Sequence, residues 1–213
     1  PFGSNQAITG SNPYCHVVPY GDGEAFVLDF ATTYTAEGKV RVAAFAKREY
    51  PPNILYTPDG EMTTDPVAFY GGDMHRIKRI GAISSFGEHK GSGFALSLAI
   101  DGGIFADGSL TTPGQVAGRN AVRLTLTNLA ALEPRIPREQ HDKAMHEFVH
   151  RIRSMPPIEA DKPVLAPGDP EMIAFRERKA NGIPLPSGSL EDIRHMADRM
   201  KIRDKVEAII AAV

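Results

Sequence analysis

The sequence predicts an α/β fold, on three observations. Residues Ala25 to Ala31 (AFVLDFA) form a continuous apolar run with β-branched and aromatic members, too short for a typical helix and suited to a buried strand. Val122, Leu124 and Leu126 alternate with Arg123, Thr125 and Thr127, the period of a half-buried strand. The segments between and after these runs carry helical spacing, and the C-terminal third carries clear helix punctuation.

In order, residues 1–24 are rich in Gly, Ser, Asn, Pro and Asp and read as loop, with one extended piece around Tyr14 to Val18. In the strand that follows, Asp29 interrupts the apolar run. A carboxylate inside a buried strand has to be paired, hydrogen-bonded or protonated, so it marks a structural network or a site. Tyr34 to Arg48 reads as a helix with Ala36, Val40, Ala43 and Ala44 on one face, although Gly38 weakens it. Residues 49–66 are punctuated by turn formers and read as a long surface connection. Gly71 to Arg79 is locally basic and reads as a solvated loop.

The stretch Ser85 to Gly93 (SFGEHKGSG) stands out. Three glycines surround the pair His89 and Lys90, and an apolar segment, Phe94 to Ile100, follows at once. Glycines let backbone approach a ligand closely. A helix opening there presents N–H groups and a positive dipole end to anions, and Lys90 adds a full charge. A tight turn with both side chains solvated is the alternative. Ala106 to Gly114 reads as another loop. Arg138 to Arg153 is amphipathic, with Met145, Phe148, Val149 and Ile152 on the apolar face, and a Pro-rich linker runs from Met155 to Pro167. Asp169 can cap the next helix, Pro170 suits its first position, and Gly182 with Pro184 stops it. Ser189 with Asp192 forms a capping signature before a last amphipathic run.

At 213 residues and 42% hydrophobic, the chain is long enough for one substantial domain, or one and part of another. A formal charge of −2 gives no reason to expect a nucleic-acid partner or an anionic membrane. No apolar run approaches the roughly 18 residues of a membrane span. The lone Cys15 cannot form an internal disulfide, which favours a reducing compartment such as the cytoplasm. The chain opens on Pro1 without a methionine, which points to trimming or to a missing upstream part.

His146, Glu147 and His150 fit the H-E-x-x-H pattern of zinc hydrolases, in which two histidines one turn apart share a helix face and the glutamate serves as base. Glu171 could be proposed as a third ligand. Neighbouring His141, Lys143, Arg151 and Arg153 crowd that face with positive charge, so the expectation is that no metal binds.

Read beside Val27 to Thr33 (VLDFATT), the Gly87 to Gly91 motif (GEHKG) resembles the type 2 malate/L-lactate dehydrogenase family, whose relatives include ureidoglycolate, sulfolactate, diketogulonate and cyclic imino acid oxidoreductases. Gly10 to Pro13, Glu37 to Lys39, Thr63 to Pro66, Ala166 to Asp169 and Asn181 to Pro186 match the family in the same order. The resemblance implies an NAD- or NADP-dependent oxidoreductase that moves a hydride between nicotinamide and the C2 of a small 2-hydroxy, 2-keto or 2-imino acid. It implies a largely antiparallel mixed sheet surrounded by helices, a non-Rossmann fold of the sulfolactate dehydrogenase type, in a homodimer. No G-x-G-x-x-G follows a strand, in agreement with that.

By the same resemblance, residues 1–135 form the cofactor-binding domain and 136–213 a helical arm that packs on an upstream part. The cofactor would be lined by Asp29, Phe30 and Ala31, by His89 and Lys90, and by Pro167, Gly168 and Asp169. The catalytic histidine and the substrate-holding arginine are expected upstream of Pro1, so a catalytically incomplete cofactor-binding or assembly fragment is the non-enzyme alternative. In that case the strand Ala25–Ala31 and the helix after Gly93 would keep uncovered apolar surface. Glu88 departs from the family's usual glycine. Lys39, Arg41 and Lys47 are the candidate cations for a 2′-phosphate.

Overall fold

The computed structural model describes residues 1–21, 23–74, 77, 79–105, 121–131, 137–185 and 187–211. Its first elements are β1 (Pro13–Pro19) and β2 (Ala25–Ala31), an antiparallel pair in register from Pro13 opposite Ala31 to Pro19 opposite Ala25. The turn joining them is closed by Tyr20 N–H to the Glu24 carbonyl (3.1 Å) and Glu24 N–H to the Gly21 carbonyl (2.8 Å). β2 is a strand, as its composition predicts, but no residue in it is fully buried and Asp29 is exposed. Its sheet has only two strands among the described residues, and the β2 residues on both faces, Asp29 apart, are half-buried. Asp29 therefore needs no buried partner.

α1 (Glu37–Phe45) follows, shorter than expected, with Ala36 outside it and exposed, and with Val40, Ala43 and Ala44 buried. The segment expected as a surface connection holds much of the core. β3 (Leu55–Tyr56) lies between β4 (Met62–Thr63) and β5 (Ala82–Ile83), antiparallel to both. α2 (Pro66–Phe69) is capped by Asp65, whose Oδ1 accepts the Val67 N–H at 2.8 Å, with Pro66 at the first helical position. Val40, Ala44, Ile54, Leu55, Phe69 and Tyr70 close into one buried cluster. Its polar edge is satisfied too: the Tyr70 hydroxyl donates to Glu37 Oε1 at 2.5 Å, and the Arg41 guanidinium stands 5.8 Å from the Tyr70 ring centroid. Burial, together with the bond to Glu37, pushes the Tyr70 hydroxyl up to about 12.

α3 (His89–Ala99) begins four residues before Gly93, so His89 and Lys90 form its first turn rather than a loop ahead of it. A π-helical turn, Ile100–Ile104, continues it. Residues 121–128, expected to include a half-buried strand, are unpaired, and Val122, Leu124 and Leu126 are 78%, 77% and 86% exposed. A period-two apolar pattern needs a partner strand and a covering layer, and the described residues offer neither. The expected loop at Ala106 to Gly114 lies outside the described residues, as do His75, Arg76 and Lys78 of the basic segment.

The chain divides into two compact units, Pro1–His146 and Glu147–Val213. The boundary falls inside α4 (Arg138–Arg153), which has the predicted extent. Of its predicted apolar face only Val149 is buried, and Phe148 is exposed. In the second unit, α5 (Asp169–Asn181) stops at Gly182, whose φ of 82° suits glycine. Asp169 does not cap it; Gly168 (φ 98°) holds the cap position. α6 (Ser187–Arg199) begins two residues before the predicted Ser189. α7 (Arg203–Ala211) is tied to α6 by a two-pronged bond from Arg194 to Glu207 (2.9 and 3.1 Å) and by Arg203, which bonds Glu207 at 2.7 Å and Asp198 at 2.8 Å. No helix among the described residues is long and apolar enough to cross a membrane.

Candidate functional site

The end of β2 runs alongside the loop before α3. Phe86 N–H donates to the Thr32 carbonyl (3.1 Å), Tyr34 N–H to the Ser84 carbonyl (2.7 Å), and Thr33 pairs with Ser85 in an isolated bridge. Thr32 is buried, and its hydroxyl reaches the carbonyls of Ser11 (3.2 Å) and Asn12 (3.0 Å). Asn12 in turn donates from Nδ2 to the Ala95 carbonyl at 2.9 Å. One threonine thus binds the start of β1, the end of β2 and the loop before α3 into a single frame. Buried polar groups so fully bonded hold a unique geometry.

Aromatic contacts fill the space behind it. Phe30 meets Phe86 (5.4 Å) and Phe94 (6.1 Å), and Tyr14 meets Phe94 (5.2 Å). Such pairs add about 0.5–1.5 kcal/mol each beyond their buried area. α3 can seat so close to this loop because residue 91 is glycine: any Cβ there would collide with the Phe86 carbonyl. At the helix start, Gly87 (φ 56°) and Glu88 (φ 55°, ψ −119°) both adopt left-handed backbone. Glycine does this freely; for glutamate the strain is of order 1–3 kcal/mol. Lys90 N–H bonds the Gly87 carbonyl at 3.1 Å and Ser92 N–H the Glu88 carbonyl at 3.0 Å, which fixes the first turn.

In front of this frame opens a cavity of about 960 Å³. It is walled by the N-terminal segment, residues 32–34, residues 51–54, the loop 82–88, and the helix positions Ser92, Ala95 and Leu96. Hydroxyls and amides dominate its polar lining, among them Ser4, Asn5, Thr9, Thr33, Asn53 and Ser85. Among the described residues Glu88 is the one lining residue with a charged side chain, and no described histidine lines the cavity. Such a volume matches a small-molecule site with a few oriented polar groups.

Of the residues singled out from the sequence to line a cofactor, none is among the described residues of this wall. Phe30 and Ala31 are half-buried just before the lining residues Thr32 and Thr33. Asp29 lies opposite Cys15, on the strand face that does not carry Phe30. His89 and Lys90 are exposed on the first turn of α3, and His89 packs edge-on against Phe2 at 5.8 Å. In the second unit, Pro167, Gly168 and Asp169 are half-buried. The Asp169 carboxylate takes a fork from Arg153 (2.6 and 3.0 Å) and the Ala166 N–H (2.7 Å). Those bonds, Arg153 foremost, hold its carboxyl below the usual carboxylate range. Thr32, Ser92 and Asn53 escaped the sequence reading, since a lone hydroxyl or amide carries no spacing signal; the positive φ of Glu88 could not be read from sequence.

His146 of the H-E-x-x-H pattern lies edge-on to the buried Tyr20 at 4.9 Å, with its Nδ1 3.7 Å from Glu24 Oε2. The described residues contain no group of three His, Cys, Asp or Glu placed to hold a metal.

Fold and cavity together define the class: a mixed α/β protein of small antiparallel sheets and helices, with a polar-lined cavity beside the start of α3. A family model described as malate/L-lactate dehydrogenase matches residues 1–194, and the chain belongs to that family. Hydroxycarboxylate dehydrogenase B of Escherichia coli is 31% identical over 193 residues, 91% of this chain and 52% of that protein. Delta(1)-pyrroline-2-carboxylate reductase of Pseudomonas fluorescens is 28% identical over 194 residues, 91% of this chain and 55% of that protein. The solved sulfolactate dehydrogenase of Methanocaldococcus jannaschii shares the fold, with a TM-score of 0.64 at 24% identity over 95% of this chain and 56% of that one. The chain spans about half the length of the curated relatives it matches.

Proposed function

We propose that this chain is the cofactor-holding part of a nicotinamide-dependent oxidoreductase acting on a small 2-hydroxy, 2-keto or 2-imino acid, as a homodimer in the cytoplasm. The observation that carries the reading is the cavity of about 960 Å³ opening at the glycine-flanked start of α3 in a member of this family. In this reading residues 1–135 form the cofactor domain, on the non-Rossmann fold of the sulfolactate dehydrogenase type, and residues 136–213 the helical arm.

The residues present fit a dinucleotide. Gly91 lets α3 close onto the Phe86 carbonyl, and the hydroxyl-rich wall suits ribose and carboxamide groups. The exposed Lys90 ammonium and the positive end of an eleven-residue helix suit the pyrophosphate. Phe30 and Ala31, with Asp29 behind them, form the strand side of the site, and His89 extends the helix side. In the second unit Asp169 serves by fixing the loop: with its oxygens on Arg153 and the Ala166 N–H, it sets the backbone of Pro167 and Gly168. When bound, the nicotinamide supplies or accepts the hydride. Since no histidine among the described residues lines the cavity, the reading assigns cofactor holding to this chain and leaves proton transfer unassigned.

The test is fluorescence titration of the 213-residue chain with NADH and NADPH. Losing the charge-assisted bond of Lys90 removes about 1.5–3 kcal/mol, so Lys90→Ala is expected to weaken binding by roughly 10- to 150-fold with the circular dichroism unchanged. Unchanged affinity in that variant takes Lys90 out of the site, and no binding of either nucleotide to the wild type refutes the reading.

A further inference from the structure

Glu88 is held at φ 55° and ψ −119°, directly after Gly87 at φ 56°. That backbone belongs to glycine, and a glutamate there is strained. Nothing in the fold uses the side chain. It makes no capping bond to α3, and among the described residues it makes no hydrogen bond or ion pair. The electrostatic benefit of an acid at a helix N-terminus is equally available to Asp or Ser at an ordinary cap geometry, with a hydrogen bond in addition. What Glu88 does have is a place in the cavity wall, where its side chain is the one charged group among the described lining residues.

The candidate cations for a 2′-phosphate are not among the described residues of the wall. Neither Lys39, Arg41 nor Lys47 lines the cavity, and Arg41 is occupied by Glu37 at 3.0 Å and by the Tyr70 ring. A wall of hydroxyls and amides with one carboxylate accepts hydrogen bonds from a ribose diol and repels a phosphate on that ribose.

We infer that Glu88 is a specificity-determining residue that selects NAD(H) over NADP(H) by accepting the 2′-hydroxyl of the adenosine ribose and repelling a 2′-phosphate. This deepens the cofactor reading above and rests on it. The carboxylate acts twice: it gains a charge-assisted bond with the diol, and it meets like charge in the phosphorylated form. The carboxylate is carried by the side chain at this wall position, and glycine in its place removes both effects.

The test measures dissociation constants of NADH and NADPH for the full chain, by fluorescence and by calorimetry, for wild type, Glu88→Gln and Glu88→Gly. Glutamine keeps the shape without the charge, and glycine suits the φ, so neither threatens the fold. The wild type is expected to bind NADH at least about tenfold tighter than NADPH, with the ratio falling below about threefold in both variants and NADPH binding improving in absolute terms. A wild-type preference for NADPH, a ratio unchanged by both substitutions, or an equal loss for the two cofactors overturns the inference while leaving the cofactor site standing. Binding of neither cofactor to the wild type overturns both.

Discussion

Two regions of the first unit are built from equally apolar sequence and reach opposite ends. Around α1, β3 and α2, the side chains of Val40, Leu55, Phe69 and Tyr70 are sealed to 1% exposure or less. In the layer of β1 and β2 against α3, no β2 residue is buried, and Leu96, Ile100 and Phe105 remain exposed. The first region closes because residues 40–70 supply its buried cluster and Met74 and Ile83 pack against it as well. The second is only partly covered, with Phe30 packed against Phe86 and Phe94 and no residue of β2 fully buried. Apolar composition promises burial only when a second layer exists to provide it, at about 25 cal/mol for each Å² covered. The candidate cavity borders the open region, where side-chain hydrogen bonds from Thr32 and Asn12 to backbone carbonyls do the holding that packing does elsewhere.

The sharpest way to break this comparison is to cut one large side chain from each region. Leu55→Ala is expected to cost about 2–5 kcal/mol, since the fully buried site cannot collapse around the lost volume. Phe105→Ala removes a larger side chain that is 73% exposed, and is expected to stay within about 0.5 kcal/mol of wild type. Chemical denaturation of the two variants checks the pair. Equal losses would mean that the open layer is covered in solution, by self-association or otherwise, and light scattering at the same concentration would show which.

A next effect, somewhat smaller, concerns the second unit, whose buried apolar residues among the described ones (Val149, Ala166 and Ala197) are few and small. With so little core, charged clamps carry more of its order. The Asp169 carboxyl, held below the usual range chiefly by Arg153, contributes stability that is complete above the ordinary carboxylate pKa and lost as pH falls through its lowered folded value. Asp169→Asn is expected to cost about 1.5–3 kcal/mol at pH 7 and to flatten the acid limb of the second unit's unfolding profile. Amide exchange read separately for residues 147–185 across pH 3–7 checks it. A loss confined to the first unit would sink it.

What the sequence discloses follows the same divide. β1, β2, the extent of α4 and the stop of α5 are all legible, because each is written in a local pattern: an apolar run, a heptad-like stripe, a Gly followed by Pro. Burial is not local. Asp29 reads as an interior carboxylate because its neighbours are apolar, yet exposure depends on whether a third strand arrives beside it. Residues 122–127 keep a strand's alternation and find no partner. Conversely, the turn formers at 51–53 and 58–60 hide the fact that Ile54 and Leu55 between them are core. At the site, GEHKG is visible as a motif, whereas the cavity wall is made by the residues beside the conspicuous ones, Thr32 and Thr33 after Ala31, Glu88 before His89. Which neighbour faces the cavity depends on strand alternation and helix phase near an element end, where both are least certain.

The smallest effect tests whether the closed region is sealed as tightly as its packing suggests. The Tyr70 hydroxyl, buried and donating to Glu37 at 2.5 Å, is pushed up to about 12, first by desolvation and then by that bond. The sign follows from proton counting. Above the ordinary phenol pKa of about 10 the unfolded chain has released this proton while the folded chain still holds it, so stability is whole below that pH and falls as pH rises toward the folded value. The first unit is thus expected to lose stability between about pH 10 and 12, while Tyr70→Phe removes this dependence at a neutral-pH cost of only about 0.5–1.5 kcal/mol. Phenylalanine keeps the ring against Phe69, and Arg41 still pairs with Glu37, so the variant deletes one hydroxyl and little else. Thermal melts of both proteins from pH 7 to 12, with phenolate absorbance followed alongside, make the check. A Tyr70 that ionises near 10 in the folded protein would mean that water reaches the cluster, and that the two regions differ less than their packing suggests.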